Sequence, residues 1–218
     1  MRVRKVRNGA ARFEAKKHLL IESDYKHPER IDIKEYFPGY NRFRLEVGCG
    51  KGSYVTGEAK KHPDVAYVAV EKITDVLVFA LEKADETDHE NIRFMNVDAS
   101  SLNEIFEPGT FEEIYINFCD PWPKKRHTER RLTYSGFLLK FKELLKDDGR
   151  ICFKTDNLDL FDFSIPEFET AGFELSCVTY DLHNSEWTGV DTETEYEHNF
   201  SEKGVPIKRL VAEKRKDT

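Results

Sequence analysis

The chain has 218 residues, a formal net charge of -7, and 39% hydrophobic and 12% aromatic side chains. That is enough apolar material for one large domain with a packed core, so a disordered chain is excluded. Cys49, Cys119, Cys152 and Cys177 are scattered singly, which argues against a zinc site or a disulfide framework and fits a reducing cytosol. The N-terminus is charged and no apolar run approaches the roughly 20 residues that span a bilayer, so a cytoplasmic protein with no membrane partner is expected.

Residues 1–40 have no clean period. They read as a basic arm (Arg2, Arg4, Lys5, Arg7) and an irregular or helical lead-in punctuated by Pro28 and Pro38, with the domain proper at 41–218. From Phe43 a rhythm begins. "FRLEVGC" is a short apolar strand ending in glycines, "SYVTGEAKKH" a helix stopped by Pro63, "VAYVAVE" a second strand and "ITDVLVFALEKADE" an amphipathic helix. "IRFMNVDA" gives a third strand with a short helix after it, and "FEEIYINF" a fourth. "RLTYSGFLLKFKELLK" is a helix that "DDG" turns into the strand "RICFKTD". A helix near 157–171 contains Pro166 and is expected to bend or break there. Two late strands, near 173–180 and 207–215, are joined by a long polar loop.

Strands alternating with helices predict βαβ units: an α/β fold with a mostly parallel sheet and helices on both faces. Ligands of such sheets collect beyond the carboxyl ends of the strands. There this chain places acids or glycines: Glu46 to Gly52, Glu71, Asp98, Asp120 and Asp156. Carboxylates gathered at one edge repel each other, which suggests a ligand that needs them. In "EVGCGKG", Gly48, Gly50 and Gly52 let the backbone pass close to a bound molecule. The dinucleotide spacing G-x-G-x-x-G would require glycine at Ser53, and a Walker loop would require Ser or Thr directly after Lys51, where Gly52 stands. Neither phosphate-binding pattern fits. The E-x-G-x-G-x-G turn is instead similar to the first motif of class I methyltransferases that use S-adenosylmethionine. Glu71 then suits the ribose hydroxyls, a placement NAD enzymes share, and Asp98 the adenine amine; the alternative for each acid is a helix N-cap or a solvated strand end.

The fourth strand runs into "DPWPKKRHTERRL". Pro121 and Pro123 hold the loop around Asp120. The loop resembles, without matching, the Asn/Asp-Pro-Pro-aromatic loop at which class I methyltransferases acting on nitrogen present their acceptor. Trp122 could stack on a base or pack beneath the loop. Lys124, Lys125, Arg126, Arg130 and Arg131 follow as a cationic run on an otherwise acidic chain, and further basic residues crowd both termini. Such a run is either a solvated face or a phosphate grip.

"DPWPKKRHTERRL", "FKTDN", "TETEYEHNF" and the closing G-x-P-I-K-R pattern occur here in one order. In these motifs the chain resembles the bacterial tRNA (guanine-N7)-methyltransferases of the TrmB type, over about residues 43–212. The arm "MRVRKVRNGA" resembles that family's opening only loosely, and Cys119 stands where proline is common. The resemblance implies a Rossmann-like class I methyltransferase fold with a seven-stranded sheet. It implies methyl transfer from S-adenosylmethionine to N7 of guanine 46 in the tRNA variable loop. The partner is then tRNA rather than DNA, the protein a monomer or homodimer, and no metal is involved. Carried over by residue, it implies cofactor contacts from Glu46, Glu71, Asp98 and Asp120, beside the backbone of Gly48 and Gly50. Substrate contacts fall to Lys124, Asp156, Thr194, Glu195, Tyr196 and Glu197. The RNA lies along Lys124, Lys125, Arg126, His127, Thr128 and Glu129.

Guanine N7 carries an in-plane lone pair and no proton, so its attack on a sulfonium methyl needs no general base. Positioning and electrostatics must supply the rate, with Asp120 stabilising the cationic purine. Glu197 is the expected acceptor for guanine N1–H and the 2-amino group. His127 is read as an RNA contact and His198 as a loop residue. A nicotinamide oxidoreductase, an exocyclic-amine methyltransferase and a non-enzymatic RNA-binding module are the competing classes.

Overall fold

The protein is described by a computed structural model over residues 6–22, 28–87 and 89–215. Arg2, Arg4 and Lys5 of the basic arm, and Lys216, lie outside the described residues. Seven strands form one sheet: β1 (Phe43–Val47), β2 (Ala66–Val70), β3 (Ile92–Met95), β4 (Phe111–Asn117), β5 (Leu145–Thr155), β6 (Phe173–Thr179) and β7 (Lys208–Lys214), in the order β3-β2-β1-β4-β5-β7-β6. The helices are α1 (Gly9–Glu14), α2 (Ile33–Tyr36), α3 (Ser53–Lys61), α4 (Thr74–Thr87), α5 (Leu102–Ile105), α6 (Ser135–Leu144), α7 (Leu158–Thr170) and α8 (Glu195–Ser201). The mostly parallel α/β sheet expected from the sequence is present. Every residue of β1 and β2 is buried, so both faces of those strands are covered, as a parallel sheet requires. Among the described residues no helix is long and apolar enough to cross a membrane.

The chain divides into two compact units between Glu107 and Pro108. In the first, β1 pairs with β2 and β2 with β3, both parallel, with Val47 opposite Val70 and Val70 opposite Met95. That register brings the carboxyl ends of the three strands level. The lead-in belongs to this unit. Arg12 makes two hydrogen bonds to the Glu82 carboxylate (2.7 and 2.6 Å), Lys16 pairs with Asp85, and the Val6 N–H donates to Asp75 Oδ1 at 3.2 Å. These fix the segment along α4, although pairs this exposed contribute little to stability. Burial does more: Leu19, Ile21, Ile33 and Phe37 all enter the core. Leu20 bridges Phe94 in parallel, and the Ile21 N–H donates to the Phe94 carbonyl at 2.8 Å, which covers part of the open edge of β3.

In the second unit β4 pairs with β5 in parallel, and β7 lies antiparallel to both β5 and β6. Three sequence expectations change here. β5 begins at Leu145, ahead of "DDG"; its register with β4 jumps from Phe111–Leu145 to Glu113–Arg150, so the turn is a bulge within the strand. α7 runs unbroken through Pro166. A helix-interior proline costs about 3 kcal/mol. Leu160, Phe161 and Phe168 on the same helix are fully buried, and each such side chain contributes about 1.5–3 kcal/mol, so packing outweighs the lost hydrogen bond. Finally, the polar connection before β7 carries α8, capped by a reciprocal box: the Glu197 N–H donates to Thr194 Oγ1 at 2.9 Å, and the Glu197 carboxylate reaches back to the Thr194 N–H.

Candidate functional site

In the first unit the turn after β1 is built from left-handed glycines: φ is +78° at Gly48, +56° at Gly50 and +78° at Gly52. The Gly48 and Cys49 N–H groups donate to the Val70 carbonyl (2.8 and 3.0 Å), and the Gly52 N–H to the Cys49 carbonyl at 2.9 Å. The glycines serve two ends. A Cβ on Gly52 would lie 2.9 Å from the Ala80 Cβ, so that residue lets α3 and α4 approach. A Cβ on Gly48 or Gly50 would meet nothing within 4 Å, so both face open space beside the strand ends.

The acids expected around this space differ in setting. Glu46 lies within β1, not beyond it, and is buried. Glu71, just past β2, accepts from the Gly50 N–H at 3.3 Å and from the Ile73 N–H at 2.9 Å. Its carboxylate is thus tied to the glycine turn, and burial raises its pKa above the usual range despite those two bonds. Asp98 is exposed past β3; one oxygen accepts from the Ser100 N–H (3.0 Å) and Oγ (2.7 Å), capping a short turn at Ala99–Ser101, and the other is 3.9 Å from Lys72 Nζ. Glu46, the glycine turn, Glu71 and Asp98 therefore share one edge of this unit. The open glycines and the pinned carboxylate fit a cofactor carrying a ribose and a nucleobase.

In the second unit β4 ends at Asn117, and the loop beyond it holds two non-glycine residues at positive φ, Phe118 (52°) and Trp122 (40°). Such conformations are uncommon and cluster at functional sites. Asp120 between them is exposed. The loop's shape is held by Arg131, whose guanidinium donates to the Pro121 carbonyl at 2.9 Å and the Trp122 carbonyl at 3.2 Å while lying 4.2 Å above the Phe163 ring. Arg131 is therefore an internal brace, where the sequence grouped it with the outward cations. Trp122 packs edge-on to His127 (5.5 Å) and under Arg130 (5.1 Å). Lys124, Lys125 and Arg126 are exposed, the last two in a 3-10 turn spanning Lys125–Arg130 that also carries His127, Thr128 and Glu129. Desolvation and the neighbouring Asp120 charge push the Cys119 thiol up to about 12.

The remaining expected substrate residues meet at the end of β5. Asp156 is half-buried, its carbonyl accepting from Lys208 Nζ at 3.0 Å. Thr194 and Glu197 are buried at the start of α8, while Glu195 and Tyr196 are exposed. Glu197 is already committed: Lys154 Nζ donates to its carboxylate at 2.8 Å, and His183 Nε2 stands 3.7 Å from the other oxygen. Through these contacts it anchors α8 from inside. Lys154 itself was missed; "FKTDN" drew attention to its aspartate, and nothing local marks the lysine. His198 lies on α8, between Glu193 (3.5 Å) and Glu202 (3.4 Å).

A methyltransferase family model, Methyltransf_4, matches residues 41–210. The tRNA (guanine-N(7)-)-methyltransferase of Lachnoclostridium phytofermentans is 45% identical over 92% of this chain and 96% of its own length. That of Bacillus subtilis is 45% identical over 81% and 83%. Among solved structures, the 16S rRNA methyltransferase KamB superposes with a TM-score of 0.64 at 12% identity, covering 88% of this chain and 97% of that one. The likeness identifies the fold as that of the class I methyltransferases.

Proposed function

The chain belongs to the tRNA (guanine-N(7)-)-methyltransferase family, and we propose that it methylates N7 of guanine 46 in the variable loop of tRNA, with S-adenosylmethionine as the donor. The observation that carries the cofactor assignment is the open space at Gly48 and Gly50 beside a Glu71 carboxylate fixed by two backbone N–H groups. Bound S-adenosylmethionine supplies an electrophilic sulfonium methyl. Glu71 would accept from the ribose hydroxyls and Asp98 would hold the adenine amine, with Glu46, Asp120 and the backbone of Gly48 and Gly50 as the further cofactor contacts. Asp120 stabilises positive charge arriving on the purine. Lys124, Lys125 and Arg126 hold RNA phosphates, with His127, Thr128 and Glu129 along the same strand of RNA. Asp156 and the stretch Thr194, Glu195, Tyr196 and Glu197, with Lys124, would contact the target guanine nucleotide, Thr194 and Glu197 also fixing the start of α8. The reading is tested by incubating the protein with unmodified tRNA and labelled S-adenosylmethionine and mapping the product; 7-methylguanosine at position 46 is expected, and a label on another atom or none at all would overturn it.

Two further outcomes follow from the residues. Glu71→Ala should weaken S-adenosylmethionine binding by about 1.5–3 kcal/mol, the worth of hydrogen bonds to a charged acceptor. Because burial raises the Glu71 pKa, the acid protonates at a higher pH than an ordinary glutamate. Cofactor affinity should accordingly drop off on acidification earlier than in a protein with a solvated acid, and the Glu71→Gln variant should lose that part of the pH profile. Calorimetry showing equal affinity for wild type and Glu71→Ala would remove the residue from the site.

The cationic turn makes a second, separate prediction. Neutralising Lys124, Lys125 and Arg126 together should flatten the dependence of log affinity for tRNA on log salt by about 0.7–0.9 per lost phosphate contact. An unchanged slope in filter binding would return the run to a solvated face.

A further inference from the structure

Lys154 is one of the most deeply buried charged side chains of the chain, with about 1% of its surface exposed. It stands near the end of β5, opposite Arg209 of β7, and its ammonium donates to the Glu197 carboxylate at 2.8 Å and to the Thr192 carbonyl at 3.2 Å. Both partners flank the cap of α8, so one buried cation holds the segment entering the helix and the helix's own third residue. Next to Glu197 is Tyr196, the most exposed aromatic of that helix, whose ring is stacked on Phe200 (5.1 Å) and tilted against Phe118 (5.6 Å). Phe118 is two residues before Asp120 and is itself held at positive φ, its N–H donating to the carbonyl of Lys154 at 2.9 Å. Lys154 thus fixes both sides of the aromatic pair: its side chain sets α8, and its main chain sets the start of the acceptor loop.

We propose that Lys154 is a positioning residue for methyl transfer, which acts by holding Tyr196 of α8 against Phe118 as a surface on which the target purine lies flat. The inference rests on the tRNA-methylating reading and deepens it. An ionised pair this buried is weak evidence for stability, since well-packed apolar groups serve as well, whereas it fixes direction through its hydrogen bonds. A flat aromatic ring accepts the face of any purine, and base stacking on such rings is a general means of holding an unpaired base.

The test is a double-mutant cycle on methylation of tRNA. Lys154→Met should lower kcat/KM by about tenfold or more, chiefly through a higher KM for tRNA, and Tyr196→Ala should do the same. The combined variant should be no worse than Tyr196→Ala alone, because a lysine that acts through the tyrosine has nothing left to position. S-adenosylmethionine affinity, read by calorimetry, should stay within about twofold throughout, because none of these substitutions removes a residue assigned to the cofactor. Independent, multiplying losses would assign Lys154 a general structural role and overturn the proposal; so would an unimpaired Tyr196→Ala. If Lys154→Met does not fold, Lys154→Met/Glu197→Gln leaves no unpaired buried charge and carries the same cycle. A wild-type chain that binds S-adenosylmethionine but methylates no tRNA would overturn the functional reading instead, and this inference with it.

Discussion

A tRNA carrying 7-deazaguanosine at position 46 is expected to bind with near-normal affinity and to accept no methyl group. Replacing N7 by carbon removes the in-plane lone pair, the only nucleophile that the proposed reaction uses, and leaves the Watson–Crick edge and both ring faces intact. Recognition by stacking and by edge contacts should therefore survive while chemistry stops. The target base must also be reachable: in an A-form helix the N7 edge lines a deep, narrow groove closed to side chains, so the guanine has to come from a loop or be drawn out of its stack, at a cost of a few kcal/mol. Competition binding against unmodified tRNA, with single-turnover methylation in parallel, reads both halves. Wild-type methylation of the deaza substrate would place the reaction on another atom and turn the loop after β4 into an exocyclic-amine site.

The second large effect is expected at Asp120. Asp120→Asn preserves the shape of the side chain and removes its charge; turnover should fall on the order of 10²-fold, the scale of removing one transition-state electrostatic contact, with tRNA affinity nearly unchanged. The residue is exposed, between two positive-φ positions, in a loop whose backbone is held from outside by Arg131. Its contribution should thus appear in kcat and not in folding. If the Asn variant turns over normally, charge stabilisation is the wrong account of this acid, and positioning alone must explain the rate.

The strand and helix rhythm from Phe43 to Lys214 could be read from periodicity because buried strands and amphipathic helices write their burial into local sequence. Elements governed by distant partners could not. α8 has seven residues and little apolar periodicity, yet its start was marked: Thr194-x-x-Glu197 is a capping box, a signal passed over because the surrounding residues are so polar. Pro166 argued locally for a break, and buried phenylalanines on the same helix overrode it. The outward or inward direction of a charge was the least legible property. Glu197 meets its lysine 43 residues away in sequence, and Arg12 meets Glu82 at a separation of 70, distances over which a single sequence carries no pairing information. Arg131 has the same composition-level signature as Lys124, Lys125 and Arg126, and only its geometry separates a brace from a solvent-facing cation.

That brace has a consequence for how the acceptor loop can change over time. Arg131 grips the carbonyl oxygens of Pro121 and Trp122, and every amino acid carries a carbonyl oxygen. The loop's path is therefore held from a residue outside it and through atoms that substitution does not remove. At residue 122 a new side chain could alter what is presented to a nucleic acid while the grip on the main chain remains in place. Mutation at Arg131 would do the reverse, loosening the path while leaving every side chain of the loop as it was. The two positions separate the loop's chemistry from its geometry, so variation at one can be tolerated and selected without redesigning the other.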